Sequence, residues 1–150
     1  MKKIASFCVD HDVLLPGVYL SRRDGTADTY DVRMKRPNSG NYLDGAEAHT
    51  IEHLFATYAR NSALSDHVIY VGPMGCLTGF YLITEGLDDG QVLELIRESF
   101  RFVADFEGDI PGNTSKECGN YQFHNLPAAK RTAAEYCKVL AGLTVENMRY

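Results

Sequence analysis

The segment His49-Thr50-Ile51-Glu52-His53 constrains this chain more than any other stretch. An H-x-x-E-H pattern brings its side chains together only in a helix. There each residue turns by about 100°, so positions four apart lie one above the other, and His49 and His53 present two imidazoles to one point. Glu52 falls close to the same face, where a carboxylate can move protons beside a bound cation. The pattern is the inverted form of the better-known zinc-helix motif. The apolar residues agree, because Ile51, Leu54, Phe55 and Tyr58 form one stripe and predict a helix over 46–62.

The surrounding sequence predicts strands and two further helices. Val13-Leu14-Leu15 ends at the turn pair Pro16-Gly17, and Val18-Tyr19-Leu20 runs to Arg23-Asp24-Gly25. Residues 29–34 alternate and stop near Pro37-Asn38-Ser39-Gly40. Residues 68–71 and 77–84 read as strands separated by Gly72-Pro73-Met74-Gly75. Asp88 or Asp89 caps a second helix in which Val92, Leu95, Ile96, Ser99, Phe100 and Val103 recur at helical spacing. A loop over 108–119 leads to a third helix over 127–141, with Ala133, Tyr136, Cys137 and Leu140 on one side and Gly142 after it. Strands joined by short turns favour an antiparallel sheet with helices packed on it, an α+β class, as one domain over 1–150.

Composition narrows the function classes. The chain has 150 residues, 15 basic and 20 acidic, for a formal charge of −5. It has no basic footprint for nucleic acid and no polybasic membrane patch. No apolar run approaches the ~20 residues that cross a bilayer. The start, Met1-Lys2-Lys3-Ile4-Ala5-Ser6-Phe7, carries charge but no apolar leader, since Asp10, His11 and Asp12 follow at once, and a cytoplasmic location is expected. In a reducing compartment Cys8, Cys76, Cys118 and Cys137 point to metal binding or catalysis rather than disulfides.

Two histidines need a third partner, because a catalytic centre usually has three protein ligands and one open position. Cys118, Cys76, Cys8, His11, His67 and His124 are the candidates. Cys118 is attractive because Gly119 follows it in a polar loop, where glycine permits close backbone approach. His11, His67 and His124, taken singly, read as hydrogen-bonded or solvated. Cys8, beside Phe7 and Val9, reads as a small buried residue, as does Cys137 on the inner stripe of its helix. Cys76 stands apart: glycines on both sides of the turn leave its thiol uncrowded, a setting that suits a reactive sulfur.

Five separated blocks then resemble the S-ribosylhomocysteine lyase family, LuxS. They are Ser6-Phe7 with Asp10-His11, Tyr30-Asp31-Val32-Arg33 with Pro37-Asn38, and His49-Thr50-Ile51-Glu52-His53-Leu54. Pro73-Met74-Gly75-Cys76-Leu77-Thr78-Gly79 and Cys118-Gly119-Asn120-Tyr121 with His124 and Leu126 complete the set, in the family's order. The resemblance implies a LuxS/metallohydrolase-like α+β fold and a metal site of His49, His53 and Cys118. It implies Fe(II) as the cellular cation, with zinc or cobalt as substitutes. It implies Glu52 and Cys76 as proton carriers and Ser6, His11 and Arg33 as lining of the substrate pocket. It further implies a homodimer whose two sites lie at the interface, with N-terminal residues supplied by the neighbouring subunit. Two departures stand out: Tyr70-Val71-Gly72 replaces the family's acid-[IV]-S before P-M-G-C, and Thr29 replaces a common lysine.

The implied reaction explains the residue types. The substrate, S-ribosyl-L-homocysteine, has an unactivated thioether, which becomes labile only after the sugar carbonyl has moved from the first carbon to the third. A Lewis acid eases each shift, and proton carriers serve each carbon in turn. Elimination then yields L-homocysteine and 4,5-dihydroxy-2,3-pentanedione, the autoinducer-2 precursor of quorum sensing and a step of the methyl cycle. Cys76 suits the early shifts, Glu52 the later one and the elimination. Two other readings are weighed. One is an inverzincin-type metallopeptidase, distinguished by a peptide-cleavage assay. The other is a non-catalytic metal- or ligand-binding protein on the same fold, distinguished by full metal loading without thiol release.

Overall fold

The computed structural model describes residues 1–150, apart from the side chain of Ala5. The chain order is β1 (Gly17–Asp24), β2 (Ala27–Arg33), α1 (Gly45–Asn61), β3 (Val68–Pro73), β4 (Gly79–Glu85), α2 (Asp89–Asp105) and α3 (Leu126–Ala141). The strands form one antiparallel sheet in the order β1-β2-β4-β3. The α+β expectation therefore holds, with one exception in detail. Val13-Leu14-Leu15 is no strand: Val13 and Leu15 are exposed, and β1 begins only after Pro16, which lacks a ladder donor.

Strand alternation divides the sheet into two faces. Val18, Val32 and Phe80 are register partners across the three strands, as are Tyr30 and Leu82, and all five are buried in the core. The helices cover this face. Ile51, Leu54 and Phe55 of α1, Val92, Ile96 and Phe100 of α2, and Ala133, Tyr136 and Leu140 of α3 join the same cluster. Phe55 and Phe100 lie 5.1 Å apart, and Phe100 meets Tyr136 edge-on at 4.8 Å. The Tyr136 hydroxyl donates to the Gly17 carbonyl at 2.7 Å, which satisfies its one buried polar atom and ties α3 to β1.

The other face carries Thr29, Asp31, Arg33, Tyr81 and Ile83, the alternate residues of β2 and β4. It bears no helix. Tyr150 folds over one end, stacking on Tyr19 at 5.1 Å and donating to Asp31 Oδ2 at 2.9 Å.

Helix α1 is placed by its cap. Asp44 accepts from the Glu47 amide at 2.8 Å, and Glu47 reaches back to the Asp44 amide at 3.2 Å. This reciprocal box fixes the first turn. It holds the helix start beside the turn after β3, where the Leu43 amide donates to the Leu77 carbonyl at 2.8 Å. Asp88 and Gln91 build the same box on α2.

Candidate metal centre

Helix α1 places His49 and His53 one turn apart, with rings 4.6 Å apart and nearly perpendicular. Each imidazole is steered by its far nitrogen. His49 Nδ1 lies 2.7 Å from the Phe123 carbonyl and His53 Nδ1 lies 2.7 Å from the Pro111 carbonyl. A carbonyl oxygen only accepts, so each Nδ1 carries the proton and each Nε2 keeps a bare lone pair. This is the support that ligating histidines use. The same two bonds clamp the 111–123 loop onto α1.

That loop delivers Cys118. Its Sγ is 3.4 Å from His49 Nε2, and the Asn120 amide donates to the sulfur at 3.4 Å. Two tetrahedral ligands on one cation, one nitrogen and one sulfur, stand about 3.6 Å apart. The spacing found here matches. Ligand atoms of His49, His53, Cys118 and His124 all lie within 4.8 Å of one another. A nitrogen and thiolate set of this kind fits a borderline divalent cation.

The glycine that permits this approach is Gly112 rather than Gly119. Gly112 has φ of +71°, and a Cβ there would sit 3.3 Å from His53 Nδ1, whereas a Cβ on Gly119 would meet nothing within 4 Å. The left-handed backbone lets the loop turn against the ring.

Glu52 is half-buried on the next residue position before His53 and forms no ion pair among the described residues. The fourth member of the cluster is the surprise. His124 reads from sequence as a solvated or hydrogen-bonded side chain, yet its ring stacks on His49 at 4.2 Å. Burial, with the neighbouring histidines, lowers its pKa to about 4. Its Nε2 is buried and has no hydrogen-bond partner. The sequence signal was its place six residues after Cys118, at the end of the loop that carries that cysteine.

Cys76 occupies a second locus, at the turn between β3 and β4. The thiol is exposed, as its glycine-flanked turn suggested. Its support is buried. Arg33 Nη1 donates to Thr78 Oγ1 at 2.5 Å and lies 3.9 Å from Cys76 Sγ. Since the Thr78 oxygen accepts from Arg33, its own proton is free to face the sulfur at 3.0 Å. Arg33 stands on the central strand β2, and its side chain is only 4% exposed. Asp31, two residues earlier on the same strand face, accepts from Arg33 Nη2 at 2.5 Å. Burial works against the guanidinium charge, but Asp31 more than offsets it, and the Arg33 pKa stands above its ordinary value. Burial also raises the Asp31 carboxyl, against the pull of Arg33.

A cavity of about 330 Å³ joins Cys76, Arg33 and Thr78 to His11, Pro37, Asn38 and Tyr42. His11 is oriented by Nδ1, which donates to the Val9 carbonyl at 2.9 Å. Ser6 lines a different cavity of about 220 Å³, on the helix-free face, together with Thr29, Tyr70 and Tyr81. Both departures from the family pattern thus fall on one cavity. Within the first departure, Tyr70 folds over Gly72: a Cβ on Gly72 would lie within 2.6 Å of the Tyr70 hydroxyl and two of its ring carbons. The turn itself needs Gly79, where a Cβ would meet the Val32 carbonyl at 2.2 Å.

The remaining candidates lie apart. His67 Nδ1 donates to the Glu85 carbonyl at 2.7 Å. Cys8 is exposed rather than buried, because its segment lies outside the sheet, with Sγ 3.5 Å from the Ile4 carbonyl. Cys137 is half-buried against the core, and burial raises its pKa.

Comparison with known proteins agrees with this geometry. The family model described as S-Ribosylhomocysteinase (LuxS) matches residues 4–146. An S-ribosylhomocysteine lyase of Phocaeicola vulgatus is 51% identical, covering 100% of this chain and 98% of the relative. One of Clostridium beijerinckii is 48% identical and one of Porphyromonas gingivalis 47%, each covering 100% of this chain and 99% of the relative. With four-fifths and more of its length matched by one family model and half its residues shared with full-length relatives, the chain belongs to the S-ribosylhomocysteinase (LuxS) family.

Proposed function

We propose that this protein is an S-ribosylhomocysteine lyase, a carbon–sulfur lyase that releases L-homocysteine and 4,5-dihydroxy-2,3-pentanedione. The convergence of Cys118 Sγ on His49 Nε2, beside a steered His53, carries the reading. Full-length relatives that bear this activity in their names support it.

His49, His53 and Cys118 hold one divalent cation, Fe(II) in the cell with zinc or cobalt as substitutes. Bound there, it supplies Lewis acidity to the oxygens of the sugar. The other residues move protons. Cys76, as thiolate, takes a proton from one sugar carbon and returns it to the next during the early carbonyl shifts. Arg33 keeps a fixed positive charge near that sulfur. Glu52 serves the later shift and then removes the proton on the fourth carbon. The electrons of that C–H bond form a double bond as the C5–S pair leaves with homocysteine. His11 and Arg33 bound the substrate beside Cys76.

The active form is a homodimer with sites at the interface. Exposed Ile4, Phe7, Val13 and Leu15 on the N-terminal segment, with Ile69 and Tyr70 at the sheet, supply apolar surface for it. Ser6, which lines a different cavity from Cys76 within one chain, serves the neighbouring subunit's site. The chain acts as a single domain in the cytoplasm, where Cys76 and Cys118 stay reduced. No helix is long and apolar enough to cross a membrane.

The test is metal-loaded protein given S-ribosylhomocysteine, with free thiol measured. Stoichiometric homocysteine release is expected; none, with the cation bound, would sink the reading.

A further inference from the structure

His124 belongs to none of the roles above, yet it is held as firmly as the ligating pair. We propose that His124 is a substrate-positioning residue whose Nε2 accepts a hydrogen bond from a sugar hydroxyl, beside the cation and not bound to it. The inference rests on the lyase reading for the identity of the hydroxyl.

The position of its proton follows from the network. The Thr50 hydroxyl donates its single proton to the Ala46 carbonyl at 2.9 Å. Its oxygen accepts the Asn125 amide at 2.9 Å. The 3.1 Å contact with His124 Nδ1 is therefore a donation from Nδ1–H to that oxygen. Nε2 is left as a bare acceptor, buried and without a partner, facing the His49, His53 and Cys118 donors. A buried acceptor in that state is costly unless a ligand supplies a proton.

Ring geometry separates His124 from the ligands. His124 and His49 are stacked, with centroids 4.2 Å apart and planes inclined by 12°. Stacked rings lie about 3.5 Å apart, the contact distance of carbon atoms. An imidazole lone pair lies in its ring plane, so one ion cannot lie in both planes at once. The contact of His49 Nε2 with Cys118 Sγ assigns the ion to His49. His124 then points past the cation's position, at whatever lies next to it. In a sugar substrate that group is a hydroxyl, the one abundant donor on a ribose chain.

Two variants test this. His124→Phe keeps the stacked ring and removes the lone pair; His124→Gln restores an acceptor near the Nε2 position. The probes are Co(II), followed by chelator competition and its visible absorption, and the substrate reduced at its first carbon to an alcohol, which cannot isomerise. Both variants are expected to bind Co(II) within about threefold of wild type with an unchanged spectrum, short of the 10–100-fold that supporting residues of a metal can cost. His124→Phe is expected to bind the reduced substrate about tenfold more weakly, the effect of one lost hydrogen bond, with partial recovery in His124→Gln. A Co(II) affinity lower by a hundredfold, with an altered spectrum, would make His124 a ligand and overturn the proposal; so would unchanged binding of the reduced substrate. If the variants do not fold, the Nε2 nitrogen resonance of His124 in the zinc-loaded wild type decides. It should move when the reduced substrate is added, and a static signal overturns the proposal. Wild type that binds the reduced substrate but releases no thiol from the true one overturns the lyase reading alone.

Discussion

At the candidate metal centre, each of the three clustered imidazoles is steered by Nδ1. At the Cys76 end, the support is buried and the working sulfur is exposed. The first is built from a capped helix and a clamped loop of the same chain. The second is a two-stranded turn resting on a buried Arg33–Asp31 pair, with the N-terminal segment laid against it. The contrast separates holding from moving. In the proposed function a cation would be held by fixed geometry, whereas a proton carrier would have to meet carbons that differ from step to step.

Cys118→Ala and His49→Ala should break the first half. Each is expected to lower metal affinity by more than about 100-fold, beyond the cost of losing a supporting residue, and to reduce thiol release to background. Tight stoichiometric metal in either variant would show that the wrong side chains were assigned. Cys76→Ala in the second half, and Glu52→Gln beside the histidines of the first, should silence proton transfer alone, with metal content unchanged and turnover lower by about 10²–10⁴. Ordinary turnover in either variant removes that residue from the proton path.

Arg33→Ala asks how much the second half depends on its foundation. It strands Asp31 in the interior, and chemical denaturation should register a loss of about 3–5 kcal/mol. A loss below 1 kcal/mol would mean that the pair is not the turn's support. Chelation of the metal probes the first half reversibly. Cation at a hundredfold excess over its Kd stabilises the fold by about 2.7 kcal/mol. Hydrogen exchange on removal should quicken in residues 111–124 and stay unchanged around residue 76; a uniform change would erase the distinction. Asp44→Ala has the smallest effect, about 1 kcal/mol from the lost cap of α1. It should weaken metal binding only slightly, and a large loss of metal would mean that the helix start, not the loop, sets the site.

Much of this was legible in the residues. The helices were marked by three- and four-residue spacing, with Asp88 and Gly142 at two of their ends, and α1 by its paired histidines; the Asp44 cap of α1 emerged only from the structure. What was hidden depended on contacts distant in sequence. The Val13-Leu14-Leu15 run has strand composition but no neighbour to pair with. Arg33 was named for the pocket by resemblance, but its burial on a central strand and its pairing with Asp31 depend on the sheet order. His124 could not be placed without Thr50, 74 residues away, which fixes its ring. Gly119 drew attention through adjacency to Cys118, while the backbone freedom was needed at Gly112, against His53.

Tyr70 lies over the bare backbone of Gly72, at the exposed edge of the sheet. A side chain at 72 and a tyrosine folded across it cannot share the same volume, so any substitution there first has to swing the exposed ring toward solvent.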